Sequence, residues 1–176
     1  MPTDMKETIA EAAKRLLMEK HVKKLTVKDI VEECQITRQA FYYHFEDIPD
    51  LFRWVLEKIS RQFIRKVQES RDDEEMLKYF FLMSINAAPY VRKGLQGSYR
   101  EELEQLLRQN IRRLFERTIE EKQLYQQYSH SEVKLFLRYH SQAVMGILRE
   151  WTEEDTRNLD QIVHNIYLLI QGKISP

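Results

Sequence analysis

Two threonines, Thr26 and Thr37, each head a short apolar-periodic stretch, and together they narrow what the chain between them can become. A threonine hydroxyl placed just before a helix accepts a hydrogen bond from one of the N–H groups that the first turn leaves unpaired. After Thr26, the residues Val27, Ile30 and Val31 supply an apolar face, and Asp29 stands at the third helical position as an acidic cap partner. This helix is predicted to end near Cys34. After Thr37, Ala40, Phe41 and Phe45 face inward, while Arg38, Gln39, Tyr42, Tyr43 and His44 offer a polar and aromatic outer surface. Only Gln35 and Ile36 separate the two helices, with Ile36 plugging a small core. Two short capped helices joined this tightly outline a helix-turn-helix of about 20 residues.

The remainder also reads as helix. Four Gly and four Pro in 176 residues leave little room for sheet turns, and long stretches are rich in Glu, Lys, Arg, Gln and Leu. A first helix is predicted over residues 3–19, capped by Thr3, with Met5, Ile9, Ala12, Ala13, Leu16 and Leu17 on one face. The polar segment 21–24 ends it. A fourth begins at Ile48 or Pro49 behind Asp47 and carries its apolar pattern to Glu69, long enough at roughly 30 Å to link two domains. Asp72 or Asp73 caps a fifth helix, with Met76, Leu77, Phe80, Phe81 and Ile85 inward. Residues 86–98, holding Pro89, Gly94 and Gly97, are predicted to form a short helix bounded by turns. Further helices follow over 99–121 and 131–150. The restart Thr152-Glu153-Glu154-Asp155 opens a last one to Gln171, stopped by Gly172. The expectation is an all-α fold of about nine helices, a three-helix helix-turn-helix domain followed by a larger helical domain.

Charge and motif content exclude much. Basic and acidic residues number 28 each, for a formal net charge of zero. The first 50 residues hold eight Lys or Arg and ten Asp or Glu, a net of two negative charges. A nucleic-acid-binding head of this kind must rely on placed contacts, without help from bulk charge. Cys34 is the single cysteine and reads as a small buried hydrophobe, which fits a reducing cytoplasm. His130 and His140 have no partner at metal-ligand spacing and read as surface or core residues; no metal site and no cofactor are expected. No phosphate-cradling glycine loop, paired-cysteine motif or nucleophile with a base is present, so an enzyme is not expected. No run of 18 apolar residues and no signal peptide are visible, and a cytoplasmic protein without membrane association is expected.

The first 50 residues resemble bacterial tetracycline-repressor-type (TetR family) transcription regulators. The match runs through Ile9-Ala10-Glu11-Ala12-Ala13 and Leu25-Thr26-Val27-Lys28-Asp29-Ile30 into Phe41-Tyr42-Tyr43-His44-Phe45, followed by Asp47 and Leu51-Phe52. Within that family, the run from Arg38 to Phe45 is most similar to regulators grouped with the dihydroxyacetone-kinase operon activator. The run from Gly146 to Trp151 resembles the end of the penultimate helix in many members. Two positions depart from the family's habit: Ile48 stands where a Lys is usual, and Gln35 where Gly is common in the turn. The resemblance implies a homodimer whose third helices lie in the major groove and whose last two helices form a four-helix interface. It also implies a small molecule inside the larger domain that changes the separation of the reading heads.

The resulting expectation is a DNA-binding transcription regulator, a repressor acting as a homodimer on a palindromic operator under a small-molecule effector. Residues 1–46 would read DNA and 47–176 would bind effector and dimerise. Arg38 can pair bidentately with guanine and Gln39 with adenine. Tyr42, Tyr43 and His44 follow on the same helix, and the resemblance gives Tyr42 and His44 mostly backbone contacts; all three can instead pack on neighbouring helices. Thr26, Thr37, Lys24 and Lys28 are candidates for phosphates. Tyr79, Phe80, Met83, Tyr90 and Phe115 are candidates for a partly apolar effector pocket, or for core. Tyr139, Val144, Ile147, Ile166, Tyr167 and Ile170 are candidates for the dimer interface, or for packing within the subunit. The alternative function is a protein-interaction module or co-activator partner of the same fold with weak or lost DNA binding.

Overall fold

The computed structural model describes residues 4–19, 22 and 24–174. Among these residues the chain is helical, without a strand. Its helices are α1 (Met5–Met18), α2 (Val27–Cys34), α3 (Arg38–His44), α4 (Ile48–Glu69), α5 (Asp73–Gly94), α6 (Arg100–Glu121), α7 (His130–Arg149), α8 (Glu153–Arg157) and α9 (Leu159–Ile170). Thr3, the expected first cap, and His21 and Lys23 of the expected terminator lie outside the described residues. Asp4 caps α1, its carboxylate accepting from the Lys6 N–H at 3.1 Å.

Two expectations are corrected. Residues 86–98 do not form a separate short helix, because α5 runs unbroken through Pro89 to Gly94. A proline inside a helix lacks the N–H that would bond the carbonyl four residues back. Pro89 lies on the exposed side of α5, where water can meet that carbonyl, and the loss is tolerated. The last predicted helix is instead two. Its opening cap forms as read, with Thr152 and Asp155 bonding each other's backbone N–H at 3.2 and 2.8 Å. Asn158 then leaves helical geometry, at φ −103° and ψ 18°, and α9 begins after it. Asparagine is a weak helix former that competes for local backbone hydrogen bonds. Gly172 adopts φ +64°, the left-handed conformation that ends a helix with little strain in glycine.

The chain divides into two compact units, one of residues 1–60 and 87–110 and the other of 61–86 and 111–176. The first is organised around Ile9, Leu16, Ile30, Phe41, Phe45 and Leu51, all buried. Its segment 87–110 is fastened to it by specific contacts. Lys93 Nζ donates to the Leu17 carbonyl at 2.6 Å, Lys14 sits over the Tyr90 ring, and Ser60 Oγ donates to Asn110 Oδ1 at 3.0 Å. Gly94 passes so near Phe52 that an added Cβ would stand 3.1 Å from its ring. The second unit is built on Phe63, Val67, Phe80, Phe81, Val144 and Val163. Three polar pairs tie its helices together: Lys78 with Asp160 at 2.5 Å, His164 with Glu74 at 2.9 Å, and Lys122 with Asp73 at 3.3 Å.

Candidate nucleic-acid interface and ligand cavity

The turn between α2 and α3 is closed by backbone bonds. The Ile36 N–H donates to the Val31 carbonyl at 3.0 Å, and Gln35 occupies the left-handed region at φ 55° and ψ 42°. That conformation favours glycine, and a side chain there is strained. Thr37 then caps α3, its Oγ1 accepting from the Ala40 N–H at 3.1 Å. One face of α3 drives Phe41 fully into the core, with Phe45 behind it at a ring distance of 5.9 Å. The opposite face is left to solvent. Arg38 and Gln39 are exposed, Tyr42 is 56% exposed and Tyr43 84%. His44 is half-buried, its ring edge-on to Tyr43 at 5.0 Å. Both tyrosines therefore stand outside the core. A seven-residue helix presenting two cation- or amide-bearing side chains at its start and aromatic hydroxyls one turn later has the dimensions of a major-groove reader.

The other candidate contacts differ among themselves. Thr26 forms the full capping box: its hydroxyl donates to Asp29 Oδ2 at 2.7 Å and accepts from the Asp29 N–H at 3.2 Å. The hydroxyl is thus engaged, with a carboxylate beside it. Thr37 has no such acidic partner in its first turn, and its exposed hydroxyl can still donate outward. Lys24 and Lys28 are exposed, Lys28 loosely paired with Glu32 at 3.8 Å. Ile48 is only 1% exposed and belongs to the core. The amides at the start of α4 meet carboxylates, Asp50 N–H to Asp47 at 2.7 Å and Glu46 N–H to Asp50 at 3.1 Å.

The second unit holds a cavity of about 440 Å³. Phe63, Met76, Phe80, Leu114, Phe115 and Phe136 are among the residues of its apolar wall, drawn from α4, α5, α6 and α7. Tyr167 and Ile170 of α9 close another side. Polar groups are few: Asp73, Thr118, Tyr125, Gln127, His140, Tyr167 and Gln171. Burial pushes the His140 imidazole below the ordinary histidine range and raises the Tyr125 phenol, the latter helped by neighbouring Tyr128.

A profile described as "Bacterial regulatory proteins, tetR family" matches residues 9–55. A second, described as "Transcriptional regulator C-terminal region", matches residues 71–172, more than half of the 176. The chain belongs to the tetR family of bacterial regulatory proteins. This tetR-family chain is similar in fold to a structure described as "Dihydroxyacetone kinase operon activator DhaS", at 22% identity and a TM-score of 0.65, with 96% of this chain and 95% of that chain covered. It is also similar in fold to the fatty acid degradation regulator FadR from Bacillus halodurans, at 18% identity and a TM-score of 0.58, covering 96% and 99%. No curated protein matches it.

The tetR-family chain does not gather the five expected pocket residues. Phe80 and Phe115 line the cavity. Tyr79 stacks on Phe63 at 6.1 Å and Met83 packs on the second unit's core. Tyr90 lies in the first unit, under Lys14. His140, read from sequence as an ordinary surface or core residue, is a wall residue instead. Its only legible signal was its place one turn from Phe136 on the same helix face. The six expected interface residues also part. Val144 and Ile166 are buried in the subunit's own core, Ile147 is half-buried, and Tyr167 and Ile170 line the cavity. Tyr139 stands far out, 68% exposed, and Ile170 is also exposed, at 38%. The exposed apolar surface of α7 follows Leu135, Tyr139 and Ala143 to Gly146, and α9 adds exposed Leu169.

Proposed function

We propose that this chain is a DNA-binding transcription regulator that acts in the cytoplasm as a homodimer on a palindromic operator, controlled by a small molecule held in the cavity. The observation that carries it is α3: a capped helix whose inner face is locked by Phe41 and whose outer face exposes Arg38, Gln39, Tyr42 and Tyr43. Arg38 and Gln39 read base edges; Thr37, Lys24, Lys28 and His44 hold phosphates, with Thr26 confined to its capping role. A single helix of this length neutralises few phosphates, and two-fold symmetry doubles the contact. The dimer face is the Leu135–Tyr139–Ala143–Gly146 stripe with Leu169, a run of apolar and small side chains left in solvent by the subunit. Residues 1–46 read the DNA and 47–176 carry the effector and dimer functions. A dimer seated on its operator excludes other proteins from the duplex it covers, so repression is the proposed sign. Within the family, the resemblance of the Arg38 to Phe45 run supports grouping the chain with the dihydroxyacetone-kinase operon activator.

The test is a gel shift with the full chain and the promoter region beside its own gene. Arg38→Ala with Gln39→Ala should abolish the specific shift, and both side chains are exposed, so the fold should be unchanged. A double variant that shifts DNA as well as the parent sinks the assignment. Leu135→Glu with Tyr139→Glu should turn the dimer into monomers in sedimentation. A second reading, a regulator-fold protein that binds a protein partner in place of DNA, is favoured by the buried Ile48 and by the carboxylates that close the start of α4. It would stand if no promoter DNA shifted at low salt.

A further inference from the structure

The charges around the cavity restrict what can enter it. Among its lining residues there is no Lys or Arg, and Asp73 is the only carboxylate. That carboxylate is already matched: Lys122 Nζ lies 3.3 Å from it and also donates to the Ser70 carbonyl at 2.8 Å. A cationic ligand would have to displace a lysine held at two points. An anionic ligand would leave water for a wall that carries no cation of its own, with the nearby Lys122 already engaged by Asp73, which is unfavourable for a buried charge. The volume of about 440 Å³ is that of a small-molecule site.

Two of the cavity's hydrogen-bonding side chains, His140 and Tyr125, share one wall, while the half-buried Tyr167 of α9 lines another side with its ring under Lys173 at 5.9 Å. The Thr118 hydroxyl already donates to the Leu114 carbonyl at 2.8 Å, and Gln127 and Gln171 are exposed at the rim. His140 and Tyr125 are half-buried, and their side chains make no hydrogen bond among the described residues. Burial keeps His140 neutral at pH 7, so its ring offers one donor and one acceptor. Phe136 precedes His140 by one helical turn and packs on Tyr125 at 5.6 Å, which brings Tyr125 to the same side. Tyr125 reaches that place at a cost. Its backbone sits at φ +62°, and Gln123 at φ +51°, a conformation disfavoured for bulky side chains. The rings of Tyr128 and Phe136 hold it there. Strain held in place by surrounding packing beside a cavity is a feature of ligand clamps.

We infer that the cavity takes an uncharged ligand, mainly hydrocarbon or aromatic, with one hydrogen-bonding group such as a hydroxyl directed at the Tyr125–His140 wall. This rests on the reading of the cavity as the effector site and adds the chemistry of the effector.

The test uses the full chain with phenyl-naphthylamine as a fluorescent reporter, displaced in turn by four near-isosteres. These are naphthalenemethanol, methylnaphthalene, naphthoate and naphthylmethylammonium. The alcohol should displace the reporter at the lowest concentration, with each charged analogue needing at least about tenfold more. Methylnaphthalene should bind several-fold more weakly than the alcohol, and His140→Leu should remove that gap. Ile119→Lys puts a cation on the wall and should turn the preference toward naphthoate, a gain that misfolding would not produce. The inference falls if either charged analogue binds as well as the alcohol, if Ile119→Lys leaves the preference unchanged, or if neither reporter nor alcohol binds. The regulatory reading fails separately: alcohol binding that leaves DNA affinity unaltered would sink the effector role and leave the ligand class standing.

Discussion

The two compact units use the same residue classes to opposite ends. In the first, Phe41 and Phe45 close the core while the adjoining Tyr42 and Tyr43 are turned to solvent. In the second, Phe63, Phe80 and Phe115 stand around a space of about 440 Å³, and the tyrosine of interest, Tyr125, lies on its wall. An aromatic side chain is a large apolar body, and what it does depends on whether its neighbours fill the room beside it. A head that must present a rigid helix gains from a filled core. On the proposed function, a unit that admits a ligand gains from an unfilled one.

Truncation should separate the two most sharply. Phe41→Ala, at a fully buried site, should cost about 3–5 kcal/mol of stability in denaturant unfolding. Phe115→Ala should cost markedly less, because Phe115 is half-buried beside existing space. Equal costs would erase the contrast. Salt probes the outward face. With about four phosphates engaged, affinity should fall on the order of 100-fold between about 50 and 200 mM salt, and binding that barely changes would remove the electrostatic account. The two caps of the head refine it further. Thr26→Ala and Thr37→Ala should each lower stability by about 1 kcal/mol, but only Thr37→Ala should also weaken DNA binding. The smallest effect belongs to the inward face. His140 is held by burial below its ordinary value of 6.5, so its contribution to stability is present above 6.5 and is lost as pH falls through the folded value. Comparing thermal melts of the parent and His140→Leu across this range should show a steeper acid-side fall in the parent.

The head was legible because its determinants are local. Thr26 with Asp29, Thr37 with Ala40, and Phe41 beneath Tyr42 all act within a few residues, and sequence spacing reports such pairings directly. The cavity was not, because its wall draws on five helices whose rotations no local pattern fixes. Phe80 and Phe115 could be named as aromatic, but nothing nearby in sequence distinguishes them from Tyr90, which serves the other unit. The same limit explains Val144 and Ile166, whose apolar spacing marks an inner face without saying which partner covers it. Pro89 misled for a different reason: a proline reads as a breaker, yet on the exposed side of a long helix the carbonyl it leaves unpaired is open to solvation and the helix continues.

The segment 87–110 has a further consequence for modularity. The first unit is assembled from two stretches of chain, with Lys93, Tyr90, Gly94 and Asn110 reaching back onto residues 14–60. A chimera that transplants only the first 60 residues onto a relative would therefore import a head without its buttress. Exchange of reading specificity between such proteins is better done by grafting the outer face of α3, which leaves the discontinuous scaffold intact.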